Sequence, residues 1–207
     1  MKIGILGSGN IGGTLGRHLA KAGQTVFFSS RHPEKLQELA EEVGNGAEAG
    51  TPEDAAKFGE MLVLAIPWRN KEALPNPDLF MGKVVIDTMN PYSAFGRVMD
   101  LGESTSSEEV AKVLPGARLV KAFNTMSSGD LKSGAFKSGA DRWAIFVAGD
   151  DADAKRIVSG LVAGIGFVPI DTGSLREGGR LQQPGSPIYA KRLTEYPARM
   201  LLQSPKG

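Results

Sequence analysis

The chain opens with the apolar run Lys2 to Leu6, followed at once by Gly7-Ser8-Gly9-Asn10-Ile11-Gly12 and then by Leu15, Leu19 and Ala22 at helical spacing. A G-x-G-x-x-G sequence between a strand and a helix is a narrow prescription. The first glycine permits the tight turn, the second lets a pyrophosphate approach the backbone, and the third lets helix and strand pack closely. The helix start also offers N–H groups that have no partner within the helix and therefore suit an anion. Gly7, Ser8, Gly9, Asn10, Ile11 and Gly12 are thus candidate dinucleotide-binding residues, and Gly23 reads as the helix stop.

The same alternation continues along the chain. Short, mostly β-branched runs fall at residues 25–28, 61–66, 83–87, 118–123 and 143–148, with helical patterns between them. This predicts an α/β fold of Rossmann type, a doubly wound and mainly parallel sheet whose strands are apolar almost throughout because both faces are covered. Thr51-Pro52-Glu53-Asp54 reads as a helix start, Ser106-x-x-Glu109 as a capping box, and Asp150 with Asp151 as a cap for a helix burying Ile157, Val158, Leu161 and Val162. Residues 88–104 and 172–187 read as loops, and Tyr189, Leu193, Tyr196 and Met200 as the stripe of a C-terminal helix. A length of 207 residues suits one NADP-binding Rossmann-type domain, 1–170, and a small C-terminal lobe, 171–207.

The end of the second strand decides which dinucleotide is expected. NAD-binding folds place a carboxylate there, about 20 residues after the glycines, to hold the ribose 2′-hydroxyl. Here the place is taken by Ser29-Ser30-Arg31. A carboxylate would repel a 2′-phosphate, whereas a hydroxyl donates to it and a guanidinium grips it as a charged fork. Ser30 and Arg31, with Lys35 one turn on, therefore point to NADP(H).

In an open parallel sheet the ligand lies beyond the carboxyl ends of the strands, so the nicotinamide side falls to Ala65-Ile66-Pro67-Trp68, to Asn90 and to Ala122-Phe123. The sequence has no Ser-His-Asp order with a nucleophile elbow and no paired carboxylates at a strand end, whereas hydride transfer between two cofactors needs little more than position in a dry cleft and a hydrogen-bond donor to the acceptor ring. Lys121, Asn124 and Thr125 are the candidate catalytic donors to charge appearing on the acceptor. With no cysteine and two histidines, no metal centre is expected. A net charge of +1 without a basic stripe argues against nucleic acid, and no apolar run reaches membrane-spanning length, so a cytoplasmic protein is expected.

Taken together, GSGNIG, SSR, AIPW, VVIDTMNP, ARLVKAFNT, GDD and GFVPIDTGSLR resemble the family of NADPH-dependent deazaflavin (coenzyme F420) reductases, from the first strand to about Arg176. The resemblance implies a flat tricyclic acceptor stacked over the nicotinamide, and a homodimer. It also implies that Gly7, Gly9, Asn10 and Ile11 hold the pyrophosphate, that Ser30, Arg31 and Lys35 hold the 2′-phosphate, and that Ile66, Pro67 and Trp68 line the nicotinamide side. One departure stands out. Archaeal deazaflavin reductases tend to have a His-Thr pair where this chain has Phe123-Asn124-Thr125. The KAFNT form is similar to the cytoplasmic oxidoreductase domain of six-transmembrane metalloreductases, which passes electrons from NADPH to a flavin, so FMN or FAD stands beside F420 as acceptor. The alternative is a non-catalytic NADP(H)-binding redox sensor or a partner-dependent component. A hydroxyacid dehydrogenase or imine reductase is disfavoured, because too little chain follows the last motif for their helical catalytic domain.

Overall fold

The computed structural model describes residues 1–203. Eight strands, β1 (Lys2–Leu6), β2 (Thr25–Ser29), β3 (Glu48–Gly50), β4 (Met61–Leu64), β5 (Val84–Asp87), β6 (Arg118–Ala122), β7 (Ala144–Gly149) and β8 (Val168–Gly173), form one sheet in the order β3-β2-β1-β4-β5-β6-β7-β8. Every neighbouring pair is parallel except β6 and β7. The strand order reverses at β1, which lies between β2 and β4, and the crevice outside their carboxyl ends is where such sheets bind ligands. The fold is the expected Rossmann-type α/β sheet.

The helices are α1 (Asn10–Lys21), α2 (Gln37–Val43), α3 (Pro52–Phe58), α4 (Ser106–Val113), α5 (Ser128–Gly134), α6 (Ala152–Gly164), α7 (Glu177–Leu181) and α8 (Glu195–Gln203). Because side chains alternate along a strand, each strand feeds both faces. Ile3, Ile5, Val63, Ile86 and Val120 meet Leu15 and Leu19 of α1 and Val158 and Val162 of α6. On the other face, Leu6, Leu62, Leu64, Val85 and Leu119 meet Ala56 of α3 and Val110 of α4. Ala144, Phe146, Val168 and Ile170 of the last two strands are covered by Ile188 and Ala198. Among the described residues no helix is long and apolar enough to cross a membrane, and no group of His, Asp or Glu is placed to hold a metal ion.

Several local expectations change. The capping box lies one residue earlier: Thr105 accepts from the Glu108 N–H at 3.2 Å, and Glu108 accepts from the Thr105 N–H at 2.7 Å. Asp151 alone caps α6, accepting from the Ala154 N–H, while Asp150 accepts from the Leu175 N–H. The segment 172–187 is not all loop, since β8 runs to Gly173 and α7 follows. The C-terminal helix starts only at Glu195, because Pro197 lacks an N–H and fits only within a first turn. Its buried side is Ala198 rather than the expected stripe, leaving Tyr196 74% exposed and Met200 47% exposed.

Candidate functional site

Gly7 ends β1 with φ at +98°, a conformation that side chains rarely adopt, and a Cβ there would stand 2.7 Å from the Ala65 carbonyl oxygen. At Gly12 a Cβ would meet the Gly7 carbonyl oxygen at 2.0 Å, so the first turn of α1 can close on the loop only with glycine. Gly9 differs. It is the N-cap, its φ of −76° suits any residue, and a Cβ added to it would meet nothing within 4 Å. The first helical bond runs from the Gly13 N–H to the Gly9 carbonyl at 2.7 Å, so the N–H groups before it have no acceptor within the helix. No side chain caps this end and no acid lies in its first turn. The open space over Gly9 at an uncapped helix start fits a pyrophosphate.

The loop is tied to the end of β2. Ser8 Oγ donates to the Ser29 carbonyl at 3.1 Å and accepts from its N–H at 3.0 Å, while Ser29 Oγ, fully buried, donates to the Ile5 carbonyl. This leaves Ser30 and Arg31 as the groups at the strand end that can meet a ligand. Ser30 Oγ accepts from the His32 N–H at 2.9 Å and keeps its own proton for donation, and Arg31 is exposed beside it. Lys35 lies with Ser8, Gly9, Asn10, Arg17 and Lys132 along an open cleft of about 520 Å³.

Beyond β4 and β5 a second cavity, about 290 Å³, is lined by Ile11, Ala65, Ile66, Pro67, Trp68, Met89 and Asn90, with Tyr92 and Arg69 at its edge. The walls are mainly apolar, as a nicotinamide pocket requires. Trp68 is held in place by Nε1–H donating to the Ser106 carbonyl at 2.9 Å. Ala122 and Phe123 are 0% and 1% exposed and line neither cavity. They belong to the core beneath α1. Phe123 adopts φ of +63°, a left-handed turn that ends β6 and redirects the chain toward Asn124.

The candidate catalytic set is not assembled as the sequence suggested. Lys121 is completely buried, and its ammonium donates to Asp87 Oδ2 at 3.0 Å, to Ser106 Oγ at 3.1 Å and to the Met89 carbonyl. Burial pushes it below its ordinary value, with the Asp87 carboxylate pulling the other way. All three protons are committed inside the protein, on the α4 face of the sheet, so Lys121 is a positioning residue. With Asp87, which accepts from the Met89 N–H at 2.9 Å, it clamps the loop that carries Asn90. Thr125 is 4% exposed, and its carbonyl accepts from the Ala190 N–H. Asn124, 3% exposed, donates to Asn90 Oδ1 at 3.1 Å and to the Gln182 carbonyl at 2.8 Å. Sequence reading missed Tyr92 and Tyr189, whose hydroxyls meet at 3.1 Å next to Asn90. The sequence Asn90-Pro91-Tyr92 directly after a strand end was the signal for the first, and none marked the second.

The family described as NADP oxidoreductase, coenzyme F420-dependent, matches residues 2–91. The F420-dependent NADP reductase of Methanothermobacter marburgensis is 32% identical over 206 residues, covering 91% of this chain and 90% of the reductase. Metalloreductase STEAP3 of Rattus norvegicus is 30% identical over 84% of this chain, but the chain spans only 34% of that protein's length. A hypothetical protein from Sinorhizobium meliloti superposes with a TM-score of 0.82 at 30% identity, covering 94% of this chain and 96% of that one. A dinucleotide loop with an open second glycine, a strand end bearing Ser-Arg in place of a carboxylate, and near full-length similarity to an archaeal reductase place the chain in one family: it belongs to the F420-dependent NADP oxidoreductases.

Proposed function

We propose that this chain transfers a hydride between NADPH and a deazaflavin, coenzyme F420, with FMN or FAD as the alternative acceptor. The observation that carries the reading is that consecutive residues line the two sites, Gly9 and Asn10 the first and Ile11 the second. On one side lies the open helix start at Gly9 with Ser30 and Arg31, and on the other the apolar cavity under Ile66, Pro67 and Trp68. When bound, NADPH would supply a hydride from its nicotinamide C4, to a ring carbon of a deazaflavin or to a ring nitrogen of a flavin, leaving NADP+, and solvent would supply the proton that completes the reduced acceptor. The chain's own task is to orient two flat rings and keep water from between them. In this reading Gly7, Gly9, Asn10 and Ile11 hold the pyrophosphate, Ser30, Arg31 and Lys35 hold the 2′-phosphate, and Asn90 faces the ring side.

Arg31→Glu is expected to weaken NADPH about tenfold to a hundredfold and NADH less than about threefold. A hydrogen bond to a charged group contributes about 1.5–3 kcal/mol, and every 1.4 kcal/mol is about tenfold in affinity. Calorimetric titration of both cofactors checks this, and equal losses would remove Arg31 from the phosphate site. The function itself is tested by anaerobic NADPH oxidation with F420, FMN, FAD and riboflavin offered in parallel and NADH as the control donor. Turnover with one acceptor and preference for NADPH is the expected outcome. Tight NADPH binding without turnover on any acceptor would instead favour the redox sensor or partner-dependent component.

A further inference from the structure

The polar side chains from Asn124 through Asn90 and Tyr189 to Tyr92 form a hydrogen-bonded chain that ends at the cavity. Asn124 Nδ2 donates to Asn90 Oδ1 and to the Gln182 carbonyl, so turning its amide over would set its oxygen against two acceptors. Asn90 Nδ2 donates to the Asn124 main-chain carbonyl at 2.8 Å and to the Tyr189 hydroxyl at 3.2 Å, and its orientation is fixed by the same argument. The Tyr189 oxygen thus receives a hydrogen from Asn90. The Tyr189 hydroxyl lies 3.1 Å from that of Tyr92, and either of the two can donate. Burial, and then the bond to Tyr92, push the Tyr189 phenol well above its ordinary value, in keeping with Tyr189 as the donor of the pair. In the arrangement in which Tyr189 donates, the Tyr92 O–H is left over, on a residue that lines the cavity with Met89 and Asn90.

A hydroxyl at the end of a donor chain is polarised by the bonds behind it and is worth most where negative charge develops. Resting on the hydride-transfer reading above, we infer that Tyr92 donates a hydrogen bond to the negative charge arising on the acceptor ring as it is reduced. Asn124, Asn90 and Tyr189 are the positioning residues that aim this donor. Tyr92 keeps its proton throughout, and the proton that completes the acceptor comes from solvent. The role sought in Lys121 and Thr125 thereby passes to a hydroxyl on the loop after β5. It also explains why a buried Asn124 bears on the cavity without lining it.

The test uses Tyr92→Phe and Tyr189→Phe, each of which keeps the ring and its packing, with melting temperatures measured alongside. In wild type, anaerobic titration with reduced F420 and with oxidised F420, each without nicotinamide cofactor so that no turnover occurs, gives two dissociation constants. Tyr92→Phe is expected to weaken the reduced form about tenfold while changing the oxidised form and NADPH by less than about twofold. It should also lower kcat about 10- to 100-fold, less than the roughly 10²–10³ seen for fully enclosed donors because the cavity is open to water. Tyr189→Phe should lose about threefold to tenfold in kcat, and the double variant should be no worse than Tyr92→Phe alone. Unchanged binding of reduced F420 and unchanged kcat in Tyr92→Phe would overturn the inference and leave the hydride-transfer reading standing. Additive losses in the double variant would overturn the chain. A wild-type protein that binds NADPH yet reduces no acceptor would overturn both readings.

Discussion

Gly9→Val is expected to abolish measurable binding of NADPH and NADH alike while moving the melting temperature by no more than a few degrees. The two halves of that result have separate causes. Gly9 has a φ of −76° and ψ of −157°, extended backbone open to any residue, and a Cβ at this position meets nothing within 4 Å, so the protein accommodates the side chain. The space the valine fills is the space a pyrophosphate needs to reach the free N–H groups at the start of α1. Gly12→Val is the contrasting control, because a Cβ there stands 2.0 Å from the Gly7 carbonyl oxygen and disturbs the loop itself. Titration and thermal melting of both variants check this. Retained cofactor affinity in a folded Gly9→Val protein would remove the pyrophosphate from this loop.

Lys121→Met is expected to destabilise the protein by about 3–5 kcal/mol, the range for removing one partner of a buried ion pair and leaving the other charge uncompensated. Asp87, 0% exposed, would keep only the Ser107 hydroxyl at 2.6 Å and the Met89 N–H as partners. Lys121→Met with Asp87→Asn should recover at least half of the loss, because the amide removes the buried charge and retains an acceptor. Denaturant unfolding of the three proteins measures this. The pattern separates positioning from chemistry: a lysine acting on substrate would lower kcat at unchanged stability. A destabilisation below about 1 kcal/mol would show that the clamp does not hold the Thr88–Asn90 loop.

The residues that lay in one local stretch were legible in the sequence, and those assembled from distant stretches were not. The glycine loop, the Ser30-Arg31 strand end and the apolar Ile66-Pro67-Trp68 turn each carry their chemistry within a few adjacent positions, and the structure puts Gly9 and Asn10 on one cleft and Ile66, Pro67 and Trp68 on another. The strand β3, Glu-Ala-Gly, was illegible because it has no β-branched residue, and β8 was hidden by Pro169 and by polar residues. The error at Lys121 is instructive. Strand alternation puts Lys121 on the same face as Leu119, toward α4 and away from the core that holds Val120 and Ala122. What the sequence could not supply was its partner, since Asp87 stands opposite Lys121 only through the β5–β6 register. Tyr92 and Tyr189 were likewise out of reach. They are 97 residues apart, and neither has a local pattern that names the other.

The measurement that tests direct hydride transfer most sharply is the fate of deuterium placed at both C4 positions of NADPH, followed into reduced F420 by mass spectrometry. Deazaflavin is the acceptor of choice because the hydrogen it gains sits on carbon and does not exchange with water, unlike hydrogen on a flavin nitrogen. One deuterium retained in the reduced acceptor, at a rate far above that with labelled NADH, is the expected result. Reduced acceptor without label, or bound NADPH that is never oxidised, would contradict a chain that brings two rings together in the cavity under Ile66, Pro67 and Trp68.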